Sequence, residues 1–208
     1  MALYQKATIT PSKAEMVEQL LRKPEWDCPV EGEPLEVIGA FRFDDPAGRV
    51  GMETHLVRSG GEVLQVPLTY RDEPNEDAKD SLVGEMEHSA LGRRWVYDGL
   101  GDPQFLVMLA AVSLTGQGEA LGMVVYDGDW FIAPSHVRIT GGGWTQERVS
   151  VDNFAPTGSD SNTATFANDG FSLTFHRRIT PGPQPTIGLR ATWPGLAEPV
   201  VLTEVTPA

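Results

Sequence analysis

The stretch that decides the fold is residues 35–71, which read LEVIGAFRFDDPAGRVGMETHLVRSGGEVLQVPLTYR. Three segments, 35–44, 50–58 and 62–71, are rich in the β-branched and aromatic residues that favour strands. The short sequences DPAG and SGG between them have the composition of turns. Because links this short join neighbouring strands that run in opposite directions, the stretch predicts an antiparallel meander.

Two helices are predicted on either side of this meander. Ser12 and Glu15 have the spacing of a capping box, in which each side chain accepts a hydrogen bond from the backbone of the other. Asp102 and Pro103 open the second helix, an acidic N-cap followed by proline at the first helical position. Residues 105–112 of that helix are apolar on nearly every side, which predicts a helix buried in the core.

The chain beyond residue 116 has a different character. Short strand candidates recur there between glycine- and proline-rich turns, a pattern typical of an antiparallel sandwich, barrel or curved sheet. The candidates are 121–126, 130–133, 137–140, 147–153, 163–167, 171–179, 187–193 and 199–205. We therefore expect an α+β domain over 1–116 and a β-rich antiparallel domain over 117–208, with antiparallel β-structure predominant in the whole.

The charge excludes two classes of partner. The formal net charge is −13, from 29 acidic and 16 basic side chains. Nucleic acid requires a basic stripe and an anionic membrane requires a basic cluster, but no basic run is longer than a pair such as Arg93–Arg94 or Arg177–Arg178. We expect neither nucleic acid nor a membrane as a partner; a homo-oligomer is compatible with the sequence.

Cysteine and histidine give no sign of a metal or thiol site. Cys28 is the single cysteine, so neither a disulfide nor a thiolate-rich zinc site can form within the chain. None of the four histidines lies within four residues of another histidine or of Cys28. The sequence predicts no catalytic residues, no metal and no cofactor. It has no apolar leader and no run near the ~20 apolar residues of a membrane span, so we expect a cytoplasmic protein.

The densest polar stretch is residues 85–98, EMEHSALGRRWVYD. Its candidate contacts to a ligand or partner are Glu87, His88, Arg93, Arg94, Trp95 and Asp98. These side chains bind sugars or anions by stacking and by bidentate hydrogen bonds. The alternative is structural: one arginine pairs with Glu87 or Asp98 across adjacent strands.

Aromatic residues of the second half form another candidate carbohydrate face. They are Tyr126, Trp130, Trp144 and Trp193. Tryptophan in a β-rich domain more often belongs to the core, which is the competing interpretation.

Three segments resemble a known family: QVPLTYR at 65–71, EHSALGRRWVYD at 87–98, and Gly101-Asp102-Pro103. They are similar to the N-terminal cap domain of actinobacterial maltokinases, and more closely to stand-alone relatives of that cap, over about residues 1–116. The resemblance implies a small α+β fold with a curved, cystatin-like antiparallel sheet that sits on the amino lobe of a sugar kinase. It also implies a setting in maltose, trehalose and α-glucan (glycogen) metabolism, or in phosphorylation of amino sugars.

The sequence departs from a complete kinase. Kinases of this class place the catalytic aspartate directly after a histidine, with an asparagine some residues on. Here the four histidines are followed by Leu56, Ser89, Val137 and Arg177. A glucan-branching activity would require a barrel of several hundred residues, which 208 residues do not provide.

The sequence leaves three functional hypotheses. The first is a non-catalytic, cap-like accessory protein that acts with a sugar or amino-sugar kinase. The second is a carbohydrate or small-metabolite binding protein that uses residues 85–98 or the aromatic face. The third is an enzyme with a scattered active site, in which Glu87 or His88 serves as general base.

Overall fold

The computed structural model describes residues 2–4, 7–28, 35–143, 148–182 and 184–208. The helices are α1 (Lys13–Leu21) and α2 (Pro103–Ser113), with 3-10 turns at Pro24–Trp26, Glu76–Ser81 and Gly99–Gly101. The strands are β1 (Ala2–Tyr4), β2 (Ile9–Thr10), β3 (Glu36–Phe43), β4 (Gly51–Ser59), β5 (Glu62–Arg71), β6 (Leu82–His88), β7 (Gly92–Asp98), β8 (Gly122–Tyr126), β9 (Asp129–Ile132), β10 (Arg138–Gly141), β11 (Ala155–Ser159), β12 (Thr163–Ala167), β13 (Phe171–His176), β14 (Arg178–Ile179), β15 (Gly188–Thr192) and β16 (Val200–Pro207).

The first sheet is a strongly curled half-barrel. Its strand order is β2-β6-β7-β5-β4-β3, and β14 pairs with β5 beside this path. Strands β3, β4 and β5 pair antiparallel in sequence order. The meander and the predominantly antiparallel α+β class predicted from the sequence are confirmed.

Helix α1 covers one face of the curled sheet. Ser12 accepts a hydrogen bond from the backbone of Glu15, and Glu15 accepts one from the backbone of Ser12, so the predicted capping box is present. The apolar stripe of the helix packs on the strands and forms a small core. That core consists of Met16, Val17, Leu20, Leu21, Trp26, Val57, Leu64, Val66, Leu68, Met86 and Val96.

Helix α2 covers the opposite face and lies between the two large sheets. Asp102 accepts from the backbone of Gln104, and Pro103 occupies the first turn, as the sequence predicts. The predicted burial is confirmed, since the helix contributes to the larger core through the side chains of Phe105, Leu106, Leu109, Ala110 and Val112. On its far side, Ser113 Oγ lies 2.8 Å from Thr203 Oγ1 of β16.

The second large sheet has the order β10-β15-β16-β13-β12-β11 and is antiparallel throughout. The predicted hairpin between β12 and β13 is present, and Asn168 Oδ1 accepts from the backbone N–H groups of Gly170 and Phe171 at its turn. The strand predicted over 147–153 is wrong for the described residues 148–153, which contain no strand. The next strand, β11, begins at Ala155. The Asn168 amide donates to the carbonyls of Ser150 and Asp152, which fixes this segment as a loop.

The strand predicted over 171–179 is interrupted at Arg177. After β13 the chain leaves the second sheet, and β14 pairs with β5 of the curled sheet, with Arg178 opposite Leu64 and Ile179 opposite Val63. The larger core correspondingly contains side chains from both halves of the chain. The domain boundary after residue 116 stays a prediction.

Candidate functional site

The polar stretch 85–98 forms the β6–β7 hairpin, and its side chains divide between two faces. Glu87 pairs with Arg93 across the hairpin, and Met86 pairs with Arg94. Because successive side chains of a strand point to opposite faces, the candidates separate: His88 and Arg94 line a pocket, whereas Glu87, Arg93 and Trp95 lie on the other face.

The outer face holds an exposed ion-pair cluster. Arg93 Nη1 lies 3.4 Å from Glu85 Oε2, and Arg93 Nε lies 3.3 Å from Glu87 Oε1. The guanidinium also lies 5.8 Å from the centroid of the Trp95 ring. The sequence predicts that one of the two arginines pairs with Glu87 or Asp98, and in the structure Arg93 pairs with Glu87, but the side chain of Arg93 is 56% exposed. Such a pair contributes about 0–1 kcal/mol to the free energy of unfolding.

Asp98 belongs neither to the pocket lining nor to the exposed ion-pair cluster, and it is buried. Its carboxylate accepts a 2.9 Å hydrogen bond from the backbone of Leu100. Burial raises the pKa of Asp98 to about 6, against the opposing effects of that hydrogen bond and of the Arg177 charge. The folded protein therefore holds the proton of Asp98 more tightly than an exposed aspartate would.

We expect Asp98→Asn to stabilise the protein at pH 8 by up to about 3 kcal/mol, the free-energy equivalent of raising a pKa from 3.8 to about 6. The folded state holds the Asp98 proton more tightly than the unfolded chain does. This group therefore adds stability below pH 4, and its contribution disappears as the pH rises through 6. Asparagine keeps an acceptor for Leu100 and carries no charge.

The measurement is urea unfolding of both proteins at pH 8, 6 and 4, with the exposed Asp80→Asn as the matched control. The stability difference between Asp98→Asn and wild type should shrink towards zero at pH 4. A variant less stable than wild type at pH 8 would show that the attraction between Asp98 and Arg177 outweighs the cost of burying the charge.

The pocket has a volume of about 520 Å³. It lies among the first turn of α1, the turn between β3 and β4, and the β6–β7 hairpin. Its lining residues are Ile9, Lys13, Arg42, Phe43, Asp44, Asp45, Gly48, Arg49, Val50, Gly51, Glu53, Tyr70, Asp72, Met86, His88, Leu91 and Arg94. Both signs of charge and several apolar side chains therefore face one cavity.

A buried polar network forms one wall of the pocket. Glu53 Oε2 accepts a 2.5 Å hydrogen bond from Lys13 Nζ and lies 3.7 Å from His55 Nε2, which in turn lies 3.4 Å from the Tyr70 hydroxyl. Burial opposes ionisation of Glu53, yet His55 and Lys13 hold the pKa of its carboxyl below the ordinary value. Burial lowers the pKa of His55 against the pull of Glu53. Glu53 is thus an ionised carboxylate held in a buried site.

Tyr70 completes this wall as a neutral hydroxyl. Burial, and then the charge of Glu53, raise the pKa of Tyr70 well above its ordinary value. The Lys13 ammonium lies 5.8 Å from the centroid of the Tyr70 ring. The wall therefore presents a phenol, a carboxylate and an ammonium group in fixed positions.

A second feature is the exposed apolar hairpin of β8 and β9, residues 121–132. These strands pair antiparallel, and β1 pairs parallel with β8 to make a three-stranded sheet. In the described part of the chain, six of the ten exposed large hydrophobic side chains belong to this hairpin: Leu121, Val125, Tyr126, Trp130, Phe131 and Ile132. Ile132 is 75% exposed and Trp130 58%. An exposed cluster of this kind marks an interaction surface.

The predicted aromatic face is not assembled among the described residues. Tyr126 and Trp130 lie in the apolar hairpin, whereas Trp193 is half-buried against the larger core. Trp144 lies outside the described residues. Tyr126 pairs with Asp129 and Trp130 pairs with Val125, so these two aromatic residues lie on opposite faces of the hairpin and the predicted face is not assembled.

Comparison with known proteins identifies part of the chain. Residues 26–102 match the family model of the maltokinase N-terminal cap domain. This segment is similar to a maltokinase cap domain. No curated protein matches the chain.

The cap segment, residues 26–102, contains most of the pocket and none of the apolar hairpin. Its strands contribute Glu53, Tyr70, His88 and Arg94, whereas Lys13 comes from α1, outside the match. Helix α2, the hairpin and the second large sheet all lie after the cap segment.

Sequence reasoning missed the buried wall of the pocket. Glu53 and His55 are two residues apart in β4 and therefore share a face with the apolar Val57. β4 lies between β3 and β5 in the sheet. The signal available in the sequence is that a carboxylate and an imidazole occupy the inner face of this central strand. Their partners Lys13 and Tyr70 are distant in the chain, so the cluster itself is visible only in three dimensions.

The structure gives no metal centre and no membrane helix within its described residues. No group of three or more histidine, cysteine, aspartate or glutamate side chains there is arranged to hold a metal ion. No described helix is long and apolar enough to cross a membrane. Cys28 is a free, half-buried thiol.

Proposed function

We propose that this chain is a non-catalytic accessory protein that acts with a maltokinase-type sugar or amino-sugar kinase, in the cytoplasm and in the α-glucan and trehalose metabolism that the cap family implies. The observation that carries the proposal is the cap segment at 26–102. Beyond that segment, the described ranges hold helix α2 and further β-strands, and none of the histidines in the 208 residues begins a kinase catalytic loop.

The apolar hairpin 121–132 is the surface we propose for docking on the kinase. It carries large apolar side chains on both faces, and β9 is an edge strand of its sheet among the described residues. The tip is acidic, with Asp127 and Asp129. A second copy of a chain with net charge −13 would bring these carboxylates together, so the charge favours a different partner whose apolar groove has a basic rim.

We expect Trp130→Ala combined with Ile132→Ser to weaken binding to a maltokinase-type kinase domain produced without its own cap by at least ~30-fold. The reason is that a central tryptophan contributes about 2 kcal/mol or more to a protein interface. The measurement is isothermal titration of the purified kinase domain with the full chain, with gel filtration to monitor self-association.

The matched control is Val37→Ser, which removes a side chain that is 57% exposed but distant in sequence from the hairpin. The control should bind as wild type does. Equal binding by the hairpin variant, or no binding by the wild-type chain, would contradict the proposed docking. A dimer that dissociates only in the hairpin variant would assign the surface to a second copy.

The second candidate function is small-metabolite binding. The pocket favours it, because His88 and Arg94, two of the residues predicted from the polar stretch, line a cavity beside a buried ionised network. The third hypothesis named Glu87 or His88 as a general base. Glu87 lies on the outer face in an ion pair with Arg93, so His88 is the one of the two that faces the pocket.

A further inference from the structure

We propose that the pocket between α1 and the β6–β7 hairpin binds a small organic anion that carries several hydroxyl groups, such as a sugar phosphate or a sugar acid. This inference rests on the second candidate function and is independent of the kinase partner. A cationic side, a carboxylate wall and an apolar lining in one cavity support it together.

The cationic side of the pocket is built by Arg94, and the Lys13–Glu53 ion pair and the imidazole of His88 also line the cavity. Arg94 Nη1 donates to the carbonyl of Arg93, and no salt bridge joins Arg94 to a carboxylate in the part of the chain that the structure describes. A guanidinium has five N–H donors in a planar fork that matches phosphate or carboxylate oxygens. Most of the hydrogen-bonding capacity of Arg94 is therefore available to an anion.

The imidazole of His88 has a defined tautomer. Its Nδ1 accepts hydrogen bonds from the backbone N–H groups of Ala90 and Leu91, at 3.2 and 3.1 Å. The proton of the neutral ring therefore resides on Nε2, which is a donor. Burial, followed by the positive charges of Arg94 and Lys13, lowers the pKa of His88. The charge of a bound anion would offset the repulsion among these groups.

Two of the acids that line the pocket are already engaged with partners other than Arg94. Glu53 already accepts from Lys13 at 2.5 Å. Asp45 accepts from the backbone N–H groups of Ala47, Arg49 and Val50, and these bonds fix its carboxylate within its own turn. Asp44 and Asp72 also line the cavity, and both are exposed at its edge.

The buried polar wall of Glu53 and Tyr70 suits hydroxyl groups. An ionised carboxylate accepts about four hydrogen bonds, and Lys13 and the Tyr70 hydroxyl use two of these positions on Glu53. The neutral Tyr70 hydroxyl is both a donor and an acceptor. A buried carboxylate would repel a simple anion, but it would accept hydrogen bonds from the hydroxyls of a ligand whose charge is held at Arg94.

The remaining lining is apolar and matches the C–H face of a sugar ring. It is supplied by Ile9, Phe43, Val50, Met86 and Leu91. The volume of about 520 Å³ lies within the range of roughly 300–1,000 Å³ typical of small-ligand sites. The cavity therefore accommodates a monosaccharide with one anionic group.

The test is isothermal titration calorimetry of the full chain with two anionic sugars, glucose 6-phosphate and glucuronate. Glucose and inorganic phosphate, the two halves of glucose 6-phosphate, are titrated for comparison. We expect one of the two anionic sugars to bind at least ~10-fold more tightly than either half, since both walls must be engaged. The stronger of the two anionic probes identifies the acidic group.

Arg94→Ala should weaken binding of the anionic sugar at least ~10-fold, whereas Arg93→Ala should change it less than ~2-fold. The two arginines are adjacent in β7, but Arg93 lies on the outer face with Glu85 and Glu87. If Arg94→Ala does not fold, Arg94→Lys provides the comparison, because lysine keeps the charge and loses the fork. The affinity of Arg94→Lys for the anionic sugar should fall, whereas that of Arg93→Lys should not.

Three outcomes would overturn the inference: no binding of either anionic sugar by the wild-type chain, inorganic phosphate binding as tightly as both sugars, or equal losses in the Arg93 and Arg94 variants. These experiments use no kinase. Failure of the docking experiment with the kinase domain therefore leaves this result intact, and failure here leaves the docking proposal intact.

Discussion

Asp102→Ala is expected to destabilise the protein by about 3–5 kcal/mol. Asp102 is fully buried, and its two carboxylate oxygens accept hydrogen bonds from Arg71 at 2.6 and 2.8 Å. The carboxylate also accepts from the Thr69 hydroxyl at 2.7 Å and caps α2 through the backbone of Gln104. Removing it leaves the guanidinium of Arg71, whose side chain is 20% exposed, without its counter-charge and leaves α2 without its cap. Breaking a buried ion pair costs that amount in comparable sites.

Urea unfolding at pH 7 measures this effect, with the exposed Asp80→Ala as the matched control. The double variant Asp102→Ala/Arg71→Met should be less destabilised than the sum of its two single variants, since it no longer buries an unpaired charge. Additive losses would show that Asp102 acts only as the helix cap, a contribution of about 1 kcal/mol.

Leu106→Ala in α2 is expected to cost about 2–5 kcal/mol, from lost burial and from the cavity that remains. Leu106 belongs to the larger core, where α2 is enclosed between the curled sheet and the second large sheet. If one sheet moved towards the helix to fill the cavity, it would have to pull the helix away from the other sheet. We therefore expect a loss towards the upper end of that range.

The comparison is thermal and urea unfolding of Leu106→Ala beside Val107→Ala, a half-buried position on the same helix. The neighbouring variant should lose clearly less stability. Equal and small losses in both variants would show that α2 does not hold the two sheets together.

Local signals in the sequence were sufficient for most of the curled sheet. The turns DPAG and SGG, the capping box of Ser12 and the Asp102-Pro103 helix start act within a few residues, and each is present in the structure. The cross-strand pairing of Arg93 with Glu87 was also predictable, because the two residues lie in one hairpin.

Predictions that depend on distant contacts were weaker. The segment 148–153 has a strand-like composition, but hydrogen bonds from Asn168 hold it as a loop. The change of sheet after β13 depends on β5, which is more than a hundred positions earlier in the chain. The pocket joins Lys13, Glu53 and Arg94 from three distant segments, so only part of it lay in the polar stretch that the sequence singled out.

The pairing of β14 with β5 has a consequence for synthesis on the ribosome. One edge of β5 is shared: β7 pairs with its residues Leu68–Arg71, and β14 pairs with Val63 and Leu64. Translation at about 5–20 residues per second needs roughly 5–20 s to pass from β5 to β14. During that interval the nascent chain carries an unpaired strand edge at Val63 and Leu64, which is where another chain would add. Slower translation of the intervening codons would lengthen this exposure and lower the yield of native protein.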